Sequence, residues 1–338
     1  MLALLSFVGL LSFVGVAPEP PRRAPLRETA PWSAVAEKLD GVLTLQQLGS
    51  IDQRVATARL DMGRARFVGR SRMVGTDVEG NIMVGMQPLE NGCRIALADL
   101  DGVVYHQVTD LLRKEGATWT PPIERLALSP DRELIAVYPS QYVRALSTAP
   151  MFGDYKHDFQ DGYLGTDHIV YVYDINGQRV NRFVGYTEPT WTPDGKLILS
   201  GAGDKVAAGL YEVDPKGDEV RRLDPERLLG VASNPVVSPD GKTIAFGYQS
   251  QIWAIDRDGT NLRQLVRDPE FDLAYPTWSP DGRFLAYLKR STLGVTSAVY
   301  VIEIADLKRE YFHDLRREAP TGDVQLFEPW GAMSWDAE

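Results

Sequence analysis

The densest group of chemistry-bearing side chains falls in one stretch: Asp154, His157, Asp158, Asp161, Asp167 and His168. Two imidazoles among several carboxylates could ligate a divalent metal, or exchange protons as general acid and base. Their spacing matches no established ligand pattern, and Tyr155, Phe159 and Tyr163 are interleaved with them. Aromatic and charged residues mixed in a long connection have the composition of a protein-contact loop. Tyr155, His157, Asp158, Phe159, Asp161 and Tyr163 are therefore read as candidate partner contacts, with no metal and no cofactor assigned. The other two histidines, His106 and His313, stand alone in the sequence.

Other chemistries would leave other marks. The chain has no His-Glu-x-x-His, no Cys-x-x-Cys, no phosphate-cradling Gly-x-x-x-x-Gly-Lys and no Gly-x-Ser-x-Gly elbow. Gly201-Ala202-Gly203 lacks a third glycine and reads as a bend. The Asp-rich stretches Asp99-Leu100-Asp101-Gly102 and Asp256-Arg257-Asp258-Gly259 are too short for a helix-flanked calcium loop. The single cysteine, Cys93, excludes an intrachain disulfide framework. A net charge of -10 disfavours nucleic acid, which needs clustered Lys and Arg. With 44% hydrophobic and 24% charged residues, the 338-residue chain is an ordinary folded protein, without an assembled catalytic set. No enzymatic activity is expected.

A repeat organises the rest. Ser129-Pro130-Asp131, Thr192-Pro193-Asp194-Gly195, Ser238-Pro239-Asp240-Gly241 and Ser279-Pro280-Asp281-Gly282 each precede a short β-rich run, such as Ile244-Ala245-Phe246. Proline presets φ at the first corner, aspartate bonds back to the backbone, and glycine accepts positive φ. Asp131, Asp194, Gly195, Asp240, Gly241, Asp281 and Gly282 are therefore structural turn residues. A second hairpin follows in each unit, as in Ile252 to Ile255, Asp256-Arg257-Asp258-Gly259, then Leu262 to Leu265. Four strands per ~40–45 residues make a propeller blade. A degenerate unit runs from Glu79-Gly80 to Val108. Ala332 to Asp336 starts a further blade, whose missing strands should come from Gly41 to Val68. Sharing a blade between the termini closes the ring and removes its edges.

These Ser/Thr-Pro-Asp-Gly turns with a preceding tryptophan resemble the repeat of TolB-like six-bladed β-propellers, and so does Ile252-Trp253-Ala254-Ile255-Asp256-Arg257-Asp258-Gly259. The resemblance implies an all-β fold: a six-bladed β-propeller of four-stranded antiparallel blades. Fold alone leaves function open. Trp191, Trp253, Trp278 and Trp335 are expected to pack between blades.

Ahead of the propeller, Leu2 to Ala17 carries no charge, and a Pro/Arg-rich stretch follows with Arg22, Arg23 and Arg27. The domains read as an apolar anchor or signal-like helix over 1–17, a tether over 18–31 and the propeller over 32–338. As a helix, the apolar run spans ~24 Å against a hydrocarbon core of ~30 Å. Secretory signal, uncleaved anchor and partner-packed helix remain open. In the anchored case Phe7 and Phe13 contact lipid or a membrane protein, and Trp32 sits at the interface. The leading expectation is a non-catalytic scaffold at a membrane, on the periplasmic face or the cytoplasmic one. It would be an extrinsic or stabilising subunit of a larger complex, with other proteins of that complex as partners. Two alternatives are a soluble periplasmic TolB-like binding protein and a channel that serves as an enzyme or ligand site.

Overall fold

The computed structural model describes residues 28–47, 56–64, 66–71, 74–89, 92–112, 123–139, 168–203, 205–224, 228, 230–290, 298–314 and 329–337. The expected anchor with Phe7 and Phe13, residues 18–27 of the tether, and Tyr155, His157, Asp158, Phe159, Asp161 and Tyr163 lie outside them. Among the described residues no helix is long and apolar enough to cross a membrane.

In chain order, β1 (Glu28–Pro31) is followed by β2 (Val42–Gln47), β3 (Ala56–Asp61) and β4 (Arg66–Ser71). Blade two holds β5 (Val74–Glu79), β6 (Ile82–Leu89), β7 (Gly92–Ala98) and β8 (Val104–Leu112). Blade three holds β9 (Ile123–Leu128), β10 (Leu134–Pro139), β11 (Ile169–Asp174) and β12 (Arg179–Val184). Blade four holds β13 (Tyr186–Trp191), β14 (Leu197–Gly201), β15 (Gly209–Val213) and β16 (Val220–Arg222). Blade five holds β17 (Ser233–Val237), β18 (Thr243–Tyr248), β19 (Gln251–Asp256) and β20 (Arg263–Val266). Blade six holds β21 (Asp272–Trp278), β22 (Phe284–Arg290), β23 (Ala298–Glu303) and β24 (Asp306–Asp314). The last strand, β25 (Pro329–Asp336), joins β2, β3 and β4 to complete blade one, in the order β25-β2-β3-β4. Leu43 pairs with Trp335 and Leu45 with Met333 across that seam.

The strand sequences follow from this layering. Middle strands are sandwiched between neighbouring blades, so they read as apolar runs and not as alternating patterns. Ile244-Ala245-Phe246 and Ile252 to Ile255 are buried throughout. Outermost strands meet water: Val220-Arg221-Arg222 has no buried residue. Between blades three and four, Ala136, Val170 and Val172 pack against Trp191, Leu197 and Leu199. Between blades six and one, Phe284, Val299 and Val301 pack against Leu43, Leu60 and Trp335.

The repeated turns are hydrogen-bonded units. Ser129, Ser238 and Ser279 donate Oγ–H to Asp131, Asp240 and Asp281 at 2.5, 2.7 and 2.6 Å. The same serine oxygens accept the N–H of Leu134, Thr243 and Phe284, each at 2.9 Å. Blade four uses a turn one residue tighter: the Lys196 N–H donates to Thr192 Oγ1 at 2.9 Å.

Two expectations change at the N-terminal edge. Residues 28–31, read as the end of a tether, form β1, which pairs in parallel with β24. Trp32, read as a membrane-interface residue, is buried at 5% exposure in the seam between blades one and six. Its indole N–H donates to the Met62 carbonyl at 3.0 Å. Short 3-10 turns over Trp32–Ala34 and Ala36–Lys38 fold the chain back onto the ring and carry the indole into the apolar seam.

Candidate functional site

The innermost strands β25, β5, β9, β13, β17 and β21 pack one beside the next around a central axis. Each runs toward the face that bears the Ser/Thr-Pro-Asp turns. On that face the axis opens into a cavity of about 930 Å³. Its rim carries Pro130, Pro193, Pro239 and Pro280 of the four turns, with Trp191 and Trp335 in the wall.

Charged groups enter the cavity from three blades. Asp77 and Glu79 come from the end of β5, Asp336 from the end of β25, Arg59 from β3 and Arg132 from the turn after β9. Asp61 and Arg64 also line it and pair with each other at 3.2 Å. Asp77 lines the cavity and is half-buried. Burial pushes its carboxyl up to about 6, against the Leu128 N–H that donates to it at 2.9 Å and the opposing charge of Arg125. Burial raises Glu79, and the charge of Asp77 adds to the effect, while Arg132 opposes it. Burial likewise drives Asp336 well above the ordinary carboxylate range, reinforced by Asp77 and Glu79 and opposed by the Ser334 hydroxyl and Arg59. Asp336 Oδ2 is buried and has no hydrogen-bond partner among the described residues.

Deeper in the channel the blades present a second ring. Arg125, Glu188, Asn234 and Tyr275 stand at the same place, four residues before the turn Ser or Thr. Glu188, Asn234 and Tyr275 hold left-handed backbone, with φ of 50, 47 and 53, and each precedes a proline. The ladder register shifts at all three. Proline has no N–H for the ladder, so a bulge is where it fits. The Asn234 N–H donates to Glu188 Oε2 in the neighbouring blade. Arg125 is 7% exposed and feels Asp77, Glu188 and Tyr275 of three other blades, which places its guanidinium in the channel.

The arrangement is a charged funnel with an apolar wall, in which four carboxyls stand among three arginines. No group of three or more His, Cys, Asp or Glu residues placed to hold a metal occurs among the described residues.

The turn residues singled out in the sequence surround the funnel without reaching into chemistry. Asp131, Asp240 and Asp281 spend their carboxylates on turn serines and backbone N–H groups. Gly195, Gly241 and Gly282 adopt φ of 80, 72 and 70. Trp191 and Trp278 occupy equivalent places and donate to the Ala127 and Val236 carbonyls of the preceding blades at 2.9 and 3.2 Å. Trp335 holds the same register place but donates to the Asp40 carbonyl at 2.8 Å. Trp253 lies instead on the third strand, edge-on to Tyr248. The described histidines stay apart: His106 contacts the Ile175 carbonyl, His168 the Tyr138 hydroxyl, and His313 the Trp32 ring.

The sequence reading missed Asp77, Glu79, Arg125, Glu188 and Asp336. One signal was present. Aligning the repeats puts Asp336 after Trp335 where Ser279 follows Trp278, so a carboxylate replaces a turn hydroxyl. The residues four places before each turn also vary among Arg, Glu, Asn and Tyr, while a proline follows in three of the four.

No family model matches the chain. A stretch of 94 residues is 36% identical to the Tol-Pal system protein TolB of Anaeromyxobacter dehalogenans, covering 27% of this chain and 21% of that protein. Another alignment, over 120 residues, is 28% identical to the uncharacterized peptidase YuxL of Bacillus subtilis and covers 32% of this chain and 18% of that one. The chain thus matches about a fifth of the length of these curated relatives. The crystal structure of TolB from Acinetobacter baumannii superposes with a TM-score of 0.59 at 16% identity, over 88% of this chain and 67% of the other. The fold is that of a TolB-like six-bladed β-propeller.

Proposed function

We propose that this protein is a non-catalytic, protein-binding propeller that works in the periplasm at a membrane, as an extrinsic subunit of an envelope complex. The observation that carries the reading is the funnel: a cavity of about 930 Å³ at the axis of a ring, walled by tryptophan and proline and lined by charged groups. Concave, preformed surfaces with aromatic walls and a few convergent polar groups are where binding energy concentrates. The curated relative named for the Tol-Pal system supports an envelope setting. Six blades wedged by buried side chains hold the rim rigid, so little ordering is lost when a partner docks. Residues 139–168 provide a second contact, through the aromatic and acidic side chains noted in the sequence.

The test is photo-cross-linking in intact cells of the source organism. A photoreactive amino acid is placed at Asn81, an exposed funnel residue, in the full-length chain, and membranes are solubilised in mild detergent. Capture of the same envelope protein in replicate experiments, reduced several-fold by deletion of residues 140–166, is the expected result. Capture of no protein from Asn81, or an unchanged partner set after that deletion, contradicts the corresponding half of the reading. A compartment reporter fused to the C-terminus should be active only outside the cytoplasm.

A further inference from the structure

The chain enters the ring at its closing seam and is gripped there twice. First, β1 lies along the outer edge of β24, with Glu28 opposite Arg309 and Pro31 opposite Phe312. Its residues are mostly exposed, so backbone pairing holds it, aided by two side-chain contacts. The Thr29 hydroxyl donates to Glu310 Oε1 at 2.9 Å, and Arg309 reaches Glu28 at 3.4 Å. Glu310 is buried and fixed in place by the Tyr287 hydroxyl at 2.6 Å and by the Lys289 ammonium, which also holds Asp268 at 2.9 Å. Directly after β1 the chain turns inward. Trp32, Val35 and Leu39 are buried in one apolar cluster with Leu43, Met333 and Trp335 of blade one and Phe284, Val299 and Val301 of blade six. Trp32 touches both blades: its N–H meets the Met62 carbonyl just past β3, and its ring lies 5.6 Å from that of His313 on β24. Met333 and Trp335 belong to β25, so the strand that closes the ring shares its apolar contacts with the entering chain.

The grip is graded. A short exposed edge strand with few buried contacts opens readily, and an exposed ion pair adds little. The indole behind it holds far more strongly, because withdrawing it leaves a cavity in the seam. Side chains packed in one cluster are energetically coupled, so losing one loosens the others. We propose that residues 28–39 are a strap that locks the ring shut: peeling it from the Glu28 end withdraws Trp32 and frees the closing strand β25, while blades three to five stay closed. A pull on the chain ahead of Glu28 then acts on ring closure before it acts on any other part of the fold. The strap needs no ligand in the funnel and stands apart from the docking role.

Native-state hydrogen exchange of the full-length chain, read by mass spectrometry at neutral pH, tests it. In Trp32→Ala the amides of β25 should exchange roughly tenfold faster or more, as a cavity at the seam demands. Amides of the middle strands in blades three to five, such as β11, β14 and β18, should keep their rates. A second variant tests the opposite direction and serves if Trp32→Ala fails to fold. Glu28→Cys with Arg309→Cys places thiols at register partners on the exposed rim, within reach of a disulfide. Oxidation should slow β25 exchange severalfold, and dithiothreitol should reverse the effect. Glu28→Cys alone, treated in the same way, controls for Cys93. Unchanged β25 exchange in Trp32→Ala, an equal acceleration in every blade, or a cross-link that leaves β25 exchange as it was overturns the strap.

Discussion

Arg132 occupies the turn position that glycine holds in blades four to six, with φ of 64 against 80, 72 and 70 at Gly195, Gly241 and Gly282. A side chain in left-handed backbone costs ~1–2 kcal/mol, partly offset by the entropy that glycine would lose. Arg132→Gly should therefore stabilise the fold by ~0.5–1 kcal/mol in urea unfolding, while removing a cation from the funnel rim. Retention of an arginine at a strained place fits a role in the cavity, since strain gathers at functional sites. Asp77 supplies a pH signature. Its carboxyl lies near 6 in the fold and near the ordinary value of 3.8 when unfolded. Between those values the folded chain holds the extra proton, so stability falls as pH rises through the window. Asp77→Asn, which keeps an acceptor for the Leu128 N–H, should flatten that fall, as read by thermal melts between about pH 4 and 7.

At the scale of the element, each of the four Ser/Thr-Pro-Asp turns is closed by one hydroxyl that both donates and accepts. Ser238→Ala strips the Thr243 N–H of its acceptor and Asp240 of its donor, at a cost of ~1–2 kcal/mol by chemical denaturation. Blade four behaves differently because its tighter turn exports its aspartate. Asp194 receives a two-pronged bond from Arg257 of blade five, at 2.8 and 3.0 Å, and Arg257 also reaches Glu212 at 2.5 Å. The Arg257 hydrogen bonds hold the Asp194 carboxyl down, to about 2. A lowered acid stabilises the fold above its unfolded pKa, and that gain disappears as pH drops from about 4 towards 2. Asp194→Asn should thus make the acid limb of the stability curve shallower, with little change at neutral pH beyond a surface-pair loss, because the group is largely exposed.

At the scale of the molecule, the ring is closed by one strand from the far end of the chain. β25 supplies buried Met333 and Trp335 to the seam with blade six. Trp335→Ala alone should cost ~3–5 kcal/mol by cavity formation. Removing residues 329–338 takes away a whole innermost strand and should abolish cooperative unfolding, since the loss rivals a typical total stability of ~5–15 kcal/mol. Circular dichroism melts and limited proteolysis check both. The Pro-Asp-Gly corners, the four-strand unit and the shared blade were legible in the sequence because each depends on local backbone preference and a repeated apolar period. Trp335 after a β-rich run marked the closing strand for the same reason. What only the tertiary structure decided was the meeting of residues remote in sequence. Asp77 and Glu79 come from blade two and Asp336 from the end of the last strand, and no local pattern says that they share a cavity. The inward turn of Glu188, Asn234 and Tyr275 likewise depends on bulges set by pairing with the next strand. Trp32 shows the same limit: an isolated tryptophan beside a Pro-rich stretch looks interfacial until a seam between the first and last blades is there to bury it. Local propensity writes the blades, but charge proximity and burial exist only once the ring brings distant strands together.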